Sequence, residues 1–106
     1  MIEVNLKYDL LPGMDQQSYV EWAKKAIGTT LKTPGLVEIR AYRSMLGSPQ
    51  VQVTSVWQTM ADWAKFNESD GWRALSDELK ASFATNVNVE IWGPSPIIPK
   101  PLRPGK

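Results

Sequence analysis

The chain has 106 residues, a formal net charge of +1 from 12 basic and 11 acidic side chains, and neither cysteine nor histidine. This length predicts one domain with a single hydrophobic core. The composition excludes disulfides, thiol nucleophiles and the commonest metal ligands, and the scattered basic residues disfavour nucleic-acid binding. Because no basic segment precedes a long apolar run, we expect no membrane segment and a cytoplasmic protein.

The first predicted elements are a strand and a helix. Apolar and polar residues alternate over residues 2–10, as in a half-buried strand, and Pro12-Gly13 ends the pattern. Asp15 is placed to cap a helix that ends before Pro34-Gly35. The apolar face of this helix is predicted to consist of Tyr19, Val20, Ala23, Ala26, Ile27 and Leu31, with Trp22 at its edge.

A predicted hairpin follows the first helix. Residues 36–46 alternate as a strand, and residues 47–50 form a short connection that contains glycine and proline. The next strand covers residues 51–58. These two strands are therefore expected to pair in antiparallel fashion.

The following stretch predicts a helix in two pieces and a last strand. Thr59 can cap the first piece, with Asp62 in its first turn, and Asp70-Gly71 predicts the break. In the second piece, an apolar stripe is formed by Trp72, Leu75, Leu79 and Phe83. Alternation over residues 87–92 predicts the final strand.

The element order is thus β-α-β-β-α-β, which indicates a ferredoxin-like α+β fold with an antiparallel sheet. Right-handed crossovers place strands one and three at the centre. We assign residues 1–93 to this domain and residues 94–106 to a tail that holds five of the eight prolines. The tail is either an arm on a partner subunit or a loose end.

The two sheet faces are predicted to differ. The face toward the helices carries Ile2, Val4, Leu6, Tyr8, Val37, Ile39, Val53, Trp57, Val87 and Val89. The other face carries Glu3, Asn5, Lys7, Asp9, Glu38, Arg40, Tyr42, Gln52, Thr54, Val56, Gln58, Asn88, Glu90 and Trp92. This second face is either solvated or stacked on another sheet. It lacks the central stacking aromatics that a single-strand RNA binder of this topology requires.

The segment VTSVWQTMADWAKFNESDGWRAL resembles the dimeric α+β barrels, which include antibiotic-biosynthesis monooxygenase-like and stress-responsive barrel proteins. The resemblance implies a homodimer with face-to-face sheets and a small aromatic ligand between each sheet and its helices. It also implies cofactor-independent oxygenation of a polycyclic phenol or polyketide-type substrate. The haem-degrading members have Trp and His where this chain has Phe66 and Ser76, so neither a haem nor a metal site is expected.

The side chains expected between sheet and helices are mostly aromatic. The candidate substrate-binding residues are Tyr8, Tyr19, Ser55, Trp57, Trp63, Phe66, Trp72 and Ser76. They line a pocket or belong to a close-packed core. No residue is identified as catalytic, so two hypotheses stand: a monooxygenase-like enzyme, and a non-catalytic ligand-binding or structural dimer.

Overall fold

The computed structural model describes residues 1–105, in which helices cover one face of a four-stranded antiparallel sheet. The elements in chain order are β1 (Ile2–Leu10), α1 (Gln16–Leu31), β2 (Leu36–Arg43), β3 (Val51–Trp57), α2 (Met60–Glu68), α3 (Asp70–Glu78), a π-helical turn (Leu79–Phe83) and β4 (Ala84–Trp92). The strand order is β2-β3-β1-β4. The predicted ferredoxin-like fold, with β1 and β3 at the centre, is therefore confirmed.

The inward face of α1 is shifted from the predicted one, although Tyr19, Ala23 and Ala26 lie inward as predicted. Its buried residues are Trp22, Ala26 and Thr30, whereas Val20, Ile27 and Leu31 are exposed. The reason is Trp22, whose indole N–H donates to the Leu75 carbonyl at 2.9 Å. Burying this ring with its hydrogen bond satisfied rotates the helix so that Trp22 lies at the centre of the packed face.

The break in the second helix lies at Ser69, one residue before the predicted position. The Ser69 hydroxyl donates to the carbonyl of Phe66 at 2.7 Å and accepts from the backbone N–H of Trp72 at 3.3 Å. One side chain thus ends α2 and caps α3, while Asp70 and Gly71 begin α3. The Thr59 cap of α2 is as predicted, because its hydroxyl oxygen accepts from Asp62 N–H at 3.1 Å.

Strand β2 is irregular at both ends. It stops at Arg43 because the Ser44 hydroxyl oxygen accepts from the backbone N–H groups of Leu46 and Gly47, which bends the chain. At its start the pairing register shifts between Leu36 and Glu38. This bulge leaves Val37 exposed, so Leu36 packs against the helices in the place predicted for Val37.

The core lies between the sheet and the helices and falls into two clusters. The larger one joins Tyr8 and Val51 of the sheet to Trp22, Leu79 and Phe83 of the helical layer. The predicted stripe on α3 and the π-helical turn is buried at Leu75, Leu79 and Phe83. The smaller cluster consists of Val4, Trp57 and Phe66, with Trp63 and Trp72 packed against it.

The polar sheet face is the side of the sheet away from the helices. The strand register places on it Glu3, Asn5, Lys7, Glu38, Arg40, Tyr42, Gln52, Thr54, Val56, Asn88, Glu90 and Trp92. Arg40 pairs with Glu3 at 3.0 Å and with Glu38 at 2.9 Å. Lys7 pairs with Glu90 at 2.9 Å. Each of the five charged side chains in these pairs therefore has an oppositely charged partner within one chain.

Asp9 binds the hairpin and β4 together. Its carboxylate accepts from the hydroxyl of Ser48, from the backbone N–H of Gln50 and from the side-chain amide of Asn86. The Ser48 and Asn86 hydrogen bonds hold the pKa of the Asp9 carboxyl below its usual range. The sequence predicts Asp9 on the polar sheet face, whereas its carboxylate is hydrogen-bonded to the hairpin and to β4 at the end of the sheet.

The segment after β4 extends away from the domain. Its apolar residues Ile97, Ile98 and Leu102 are exposed, and the radius of gyration is 15.3 Å. A compact chain of this length would have a radius of roughly 13 Å. The division at residue 93 and the role of this tail stay predictions. Within residues 1–105, no helix has the length and apolar composition needed to cross a bilayer.

Candidate ligand cavity

A cavity of about 180 Å³ lies between the sheet and the helices. Strands β1, β2 and β3 form most of its floor and β4 contributes one residue, while α1 covers it and α2 and α3 close one end. Six of the candidate residues line it: Tyr8, Tyr19, Ser55, Trp63, Phe66 and Trp72. The geometry brings them to one volume, and their role in binding stays a prediction.

The other two candidate residues, Trp57 and Ser76, lie outside this volume. Trp57 is 0% exposed, and its ring centroid is 5.1 Å from that of Phe66. It therefore packs in the core behind the cavity instead of forming its wall. Ser76 follows the buried Leu75 on α3, so it lies about 100° around the helix from the packed stripe.

The cavity exists because its inward positions carry small side chains. Ala23 and Ala26 of α1 face Ala41 of β2 and Ser55 of β3 across the space. A larger residue at any of these positions would occupy part of the volume. Sequence reasoning assigned only Ser55 this role, although small residues at inward positions of separate elements are a readable signal.

Two tyrosine hydroxyls meet at one end of the cavity. The Tyr8 and Tyr19 oxygens are 2.6 Å apart, and either can be the donor. Tyr8 is only 2% exposed, and Tyr19 is wedged between the rings of Trp22 and Phe83. Burial, and next the hydrogen bond with Tyr19, raise the pKa of the Tyr8 phenol, so Tyr8 stays neutral.

Ser55 supplies a hydroxyl farther along the floor. Its oxygen accepts from the Trp57 indole N–H at 2.9 Å. Tyr8 pairs with Val51, four residues before Ser55 on β3. At 3.3 Å per residue, the two backbone positions are about 13 Å apart along the strand. The hydroxyl groups of the floor are therefore separated along its length.

Most of the remaining lining is apolar, and two of its polar groups are hydrogen-bonded elsewhere. The Thr30 hydroxyl donates to the Ala26 carbonyl, and the Trp22 indole is satisfied by Leu75. Asn67 adds an amide at the end formed by α2. Among the described residues, no Asp, Glu, Lys or Arg side chain lines the cavity. The arrangement can bind and orient a flat apolar molecule, but its wall offers no general base.

Trp22 is the lining residue that sequence reasoning missed most clearly. The sequence pattern places it at the edge of the predicted apolar face, whereas its ring is buried and forms part of the cavity wall. A large aromatic beside an apolar helix face was the signal, because such a ring gains most from burial.

The amino-acid sequence matches a family model over residues 1–78. That model describes antibiotic biosynthesis monooxygenases. The matched part runs from β1 to the end of α3 and holds every lining residue named above. A search of curated proteins finds no match.

Solved structures with the same fold include three informative neighbours. A conserved protein from Methanosarcina mazei Go1 is 19% identical to this chain, with a TM-score of 0.74. The match covers 86% of this chain and 89% of that protein. A putative antibiotic biosynthesis monooxygenase from Nitrosomonas europaea is 16% identical, with a TM-score of 0.71, and the match covers 88% of this chain and 97% of that protein. SnoaB, a cofactor-independent oxygenase from Streptomyces nogalater, is 12% identical, with a TM-score of 0.71, and the match covers 86% of this chain and 89% of that protein. At these identities the likeness is one of fold.

Proposed function

Because the chain belongs to the antibiotic biosynthesis monooxygenase family, we propose that it binds a small phenol or hydroquinone in the cavity and promotes its oxygenation by O2 without a cofactor. The observation that carries this proposal is the cavity itself, with aromatic rings, an uncharged wall and two paired phenols. Such walls bind flat aromatic molecules through burial of apolar area. The similarity in fold to SnoaB supports the reaction class.

The volume of the cavity favours one or two rings over three. Typical ligand pockets measure about 300 to 1,000 Å³, whereas an engineered cavity of about 150 Å³ in another protein binds benzene. The space of about 180 Å³ here lies near the lower of these values. We therefore propose a phenol of one or two rings as the substrate, instead of the polycyclic phenol that the family resemblance implies.

The residues present do not suit the usual oxidative cofactors. Neither histidine nor cysteine is available to bind a haem iron. No cationic side chain among the described residues lines the cavity to hold the phosphates of a flavin or nicotinamide. In the proposed reaction the substrate supplies the electrons that reduce O2.

The proposed reaction balances with a hydroquinone and one O2. The hydroquinone loses one proton to water and transfers an electron to O2, and the radical pair joins at a ring carbon. The resulting peroxide takes a proton back from water as it loses its ring hydrogen and releases a water molecule. One oxygen atom enters the product as a hydroxyl group of a quinone, and the other leaves in water with two hydrogen atoms of the substrate. The protein positions the ring and excludes water, which is how a site without a base contributes to rate.

The absence of a base in the cavity wall favours a second candidate function, which is ligand binding without turnover. An apolar cavity raises the pKa of a bound phenol, because burial disfavours the phenolate. A phenol that remains neutral would not reduce O2. The protein would then store or carry the aromatic molecule.

Oxygen labelling separates the two candidates. We would incubate the protein with 1,4-dihydroxynaphthalene under ¹⁸O2 and follow the product by mass spectrometry. The enzyme hypothesis predicts a hydroxyquinone with one ¹⁸O and no accumulation of hydrogen peroxide. Unlabelled quinone with hydrogen peroxide, formed at the rate seen without protein, would leave only the binding function. Ala23→Phe, which fills the cavity from α1, is the control variant.

We also propose that the polar sheet face joins two copies of the chain. Trp92 is 58% exposed there, and Tyr42 is exposed as well, although large aromatic side chains gain from burial. The ion pairs that surround them are satisfied within the chain, which lowers the cost of stacking two such faces. Light scattering at micromolar concentration tests this assembly. The predicted cytoplasmic location stays a prediction.

A further inference from the structure

The Tyr8–Tyr19 pair has one more hydroxyl proton than its own hydrogen bond uses. Two neutral phenols carry two protons, and the contact at 2.6 Å consumes one of them. Within residues 1–105, neither hydroxyl makes a second hydrogen bond. Both residues line the cavity, so the second proton is available to a molecule inside it.

The pair is held in place before any ligand binds. Tyr8 extends from the central strand β1, and burial fixes its ring. The Tyr19 ring lies nearly parallel to that of Trp22, with centroids 6.0 Å apart, and is tilted against Phe83 at 5.7 Å. A hydroxyl that is already oriented loses little entropy on binding. The phenol that donates within the pair also polarises its partner, which strengthens the outward hydrogen bond.

We propose that the Tyr8–Tyr19 pair determines the specificity of the cavity by donating its free proton to an oxygen atom on the edge of an aromatic ligand. This inference rests on the proposed function and adds a selection rule to it. The cavity favours an arene with a phenol or ketone oxygen over the same arene with a methyl group. A site with an oriented hydroxyl loses a hydrogen bond when the oxygen is absent.

Ser55 is the competing anchor, and its surroundings differ. Its oxygen already accepts from Trp57, and its backbone position is about 13 Å from that of Tyr8 along the strand. A ligand of one or two rings spans less than this distance. An oxygen held by the tyrosine pair therefore leaves Ser55 without a contact to that same atom, so the two anchors can be tested separately.

The test compares 2-naphthol with 2-methylnaphthalene, which have nearly the same shape, by equilibrium dialysis. The decisive variant is the double substitution Tyr8→Phe/Tyr19→Phe, because removing one hydroxyl leaves the other free to donate. Tyr42→Phe is the matched control, since Tyr42 is the third tyrosine of the chain and lies on the polar sheet face. We expect the ratio of the two dissociation constants to shift by about fivefold in the double variant. The affinity for 2-methylnaphthalene stays the same.

The outcomes distinguish this inference from the function on which it rests. If the double variant keeps the parent preference for 2-naphthol, the pair is only a link between β1 and α1, and the inference is wrong. In that case the parent still binds both molecules, so the inference fails while the cavity stands. If the parent binds neither molecule, both proposals fail. If the double variant unfolds, the carbonyl stretch of 1-tetralone bound to the parent gives a second reading. A hydrogen bond from the pair shifts this band to lower wavenumber than in an apolar solvent, and an unshifted band would contradict the inference.

Discussion

The two faces of the sheet are built from the same strands but differ in the size and charge of their side chains. On the helix side, small residues such as Ala41 and Ser55 leave a space among aromatic rings, and no charged side chain among the described residues lines it. On the polar sheet face, side chains one residue away fill the surface with ion pairs such as Lys7–Glu90. Open volume here depends on small residues, whereas the charged residues pair with one another on the surface.

Two tryptophans give the largest expected contrast between the faces. Trp57→Ala removes a fully buried ring and should lower the free energy of unfolding by about 4 kcal/mol. Trp92→Ala, on the polar sheet face, should change the stability of the single chain by less than about 1 kcal/mol. Urea denaturation of both variants, at a protein concentration low enough to dissociate any dimer, measures the difference. Equal losses would mean that the two faces are packed alike.

Filling the cavity at two positions should separate binding from stability. Ser55→Phe blocks the volume and also leaves the Trp57 indole N–H without its acceptor, which costs about 1 to 3 kcal/mol. Ala23→Phe blocks the same volume without breaking a side-chain hydrogen bond. Both variants should lose 2-naphthol binding in equilibrium dialysis, and thermal melting should show the larger loss for Ser55→Phe. Retained binding in both would place the ligand elsewhere.

A charge on the polar sheet face should break assembly without opening the core. Trp92→Glu places a carboxylate where the proposed partner sheet lies, so we expect the dimer to dissociate at least about tenfold more readily. Val56 is a poorer probe, because it is only 9% exposed in the single chain and its replacement by Asp would unfold the domain. Light scattering against a concentration series measures the effect. An unchanged mass in Trp92→Glu would assign the interface to another surface.

The smallest expected effect comes from Glu90 and depends on pH. The hydrogen bond from Lys7, and next that from Trp92, hold the pKa of the Glu90 carboxyl below its usual range. A lowered pKa in the folded state stabilises the protein above the ordinary glutamate pKa, and this stabilisation is lost as the pH falls through the lowered value. Glu90→Gln should therefore be slightly less stable to urea than the parent at neutral pH, and the two stabilities should converge in acid. Urea midpoints across this range provide the measurement.

Local patterns predicted most of the fold. Alternation gave the bounds of β1, and the cap at Thr59 was correct because its partner, the N–H of Asp62, lies three residues away. The resemblance carried by the segment after β3 is confirmed by the family match. These features depend on neighbours in sequence, which is why they are readable without a structure.

What local patterns missed depends on contacts between distant residues. The rotation of α1 follows from Trp22 reaching Leu75, 53 positions further along the chain. The cavity needs small residues from α1, β2 and β3 at once, and no single periodicity reports their coincidence. The pairing of Tyr8 with Tyr19 likewise joins a strand to a helix. The candidate residues could be proposed from composition, but their hydrogen bonds could not.

Ser69 joins two helices at one end of the cavity. Its hydroxyl holds the end of α2 and the start of α3 together, and the rings of Phe66 and Trp72 on either side are 4.9 Å apart. Opening this joint breaks both hydrogen bonds at once and separates the two rings that close one end of the cavity. A ligand that left by that end would have a residence time limited by opening of the joint, whereas its proposed preference for an oxygen atom depends on the opposite end, at Tyr8 and Tyr19. Residence time and ligand preference would then vary independently of each other.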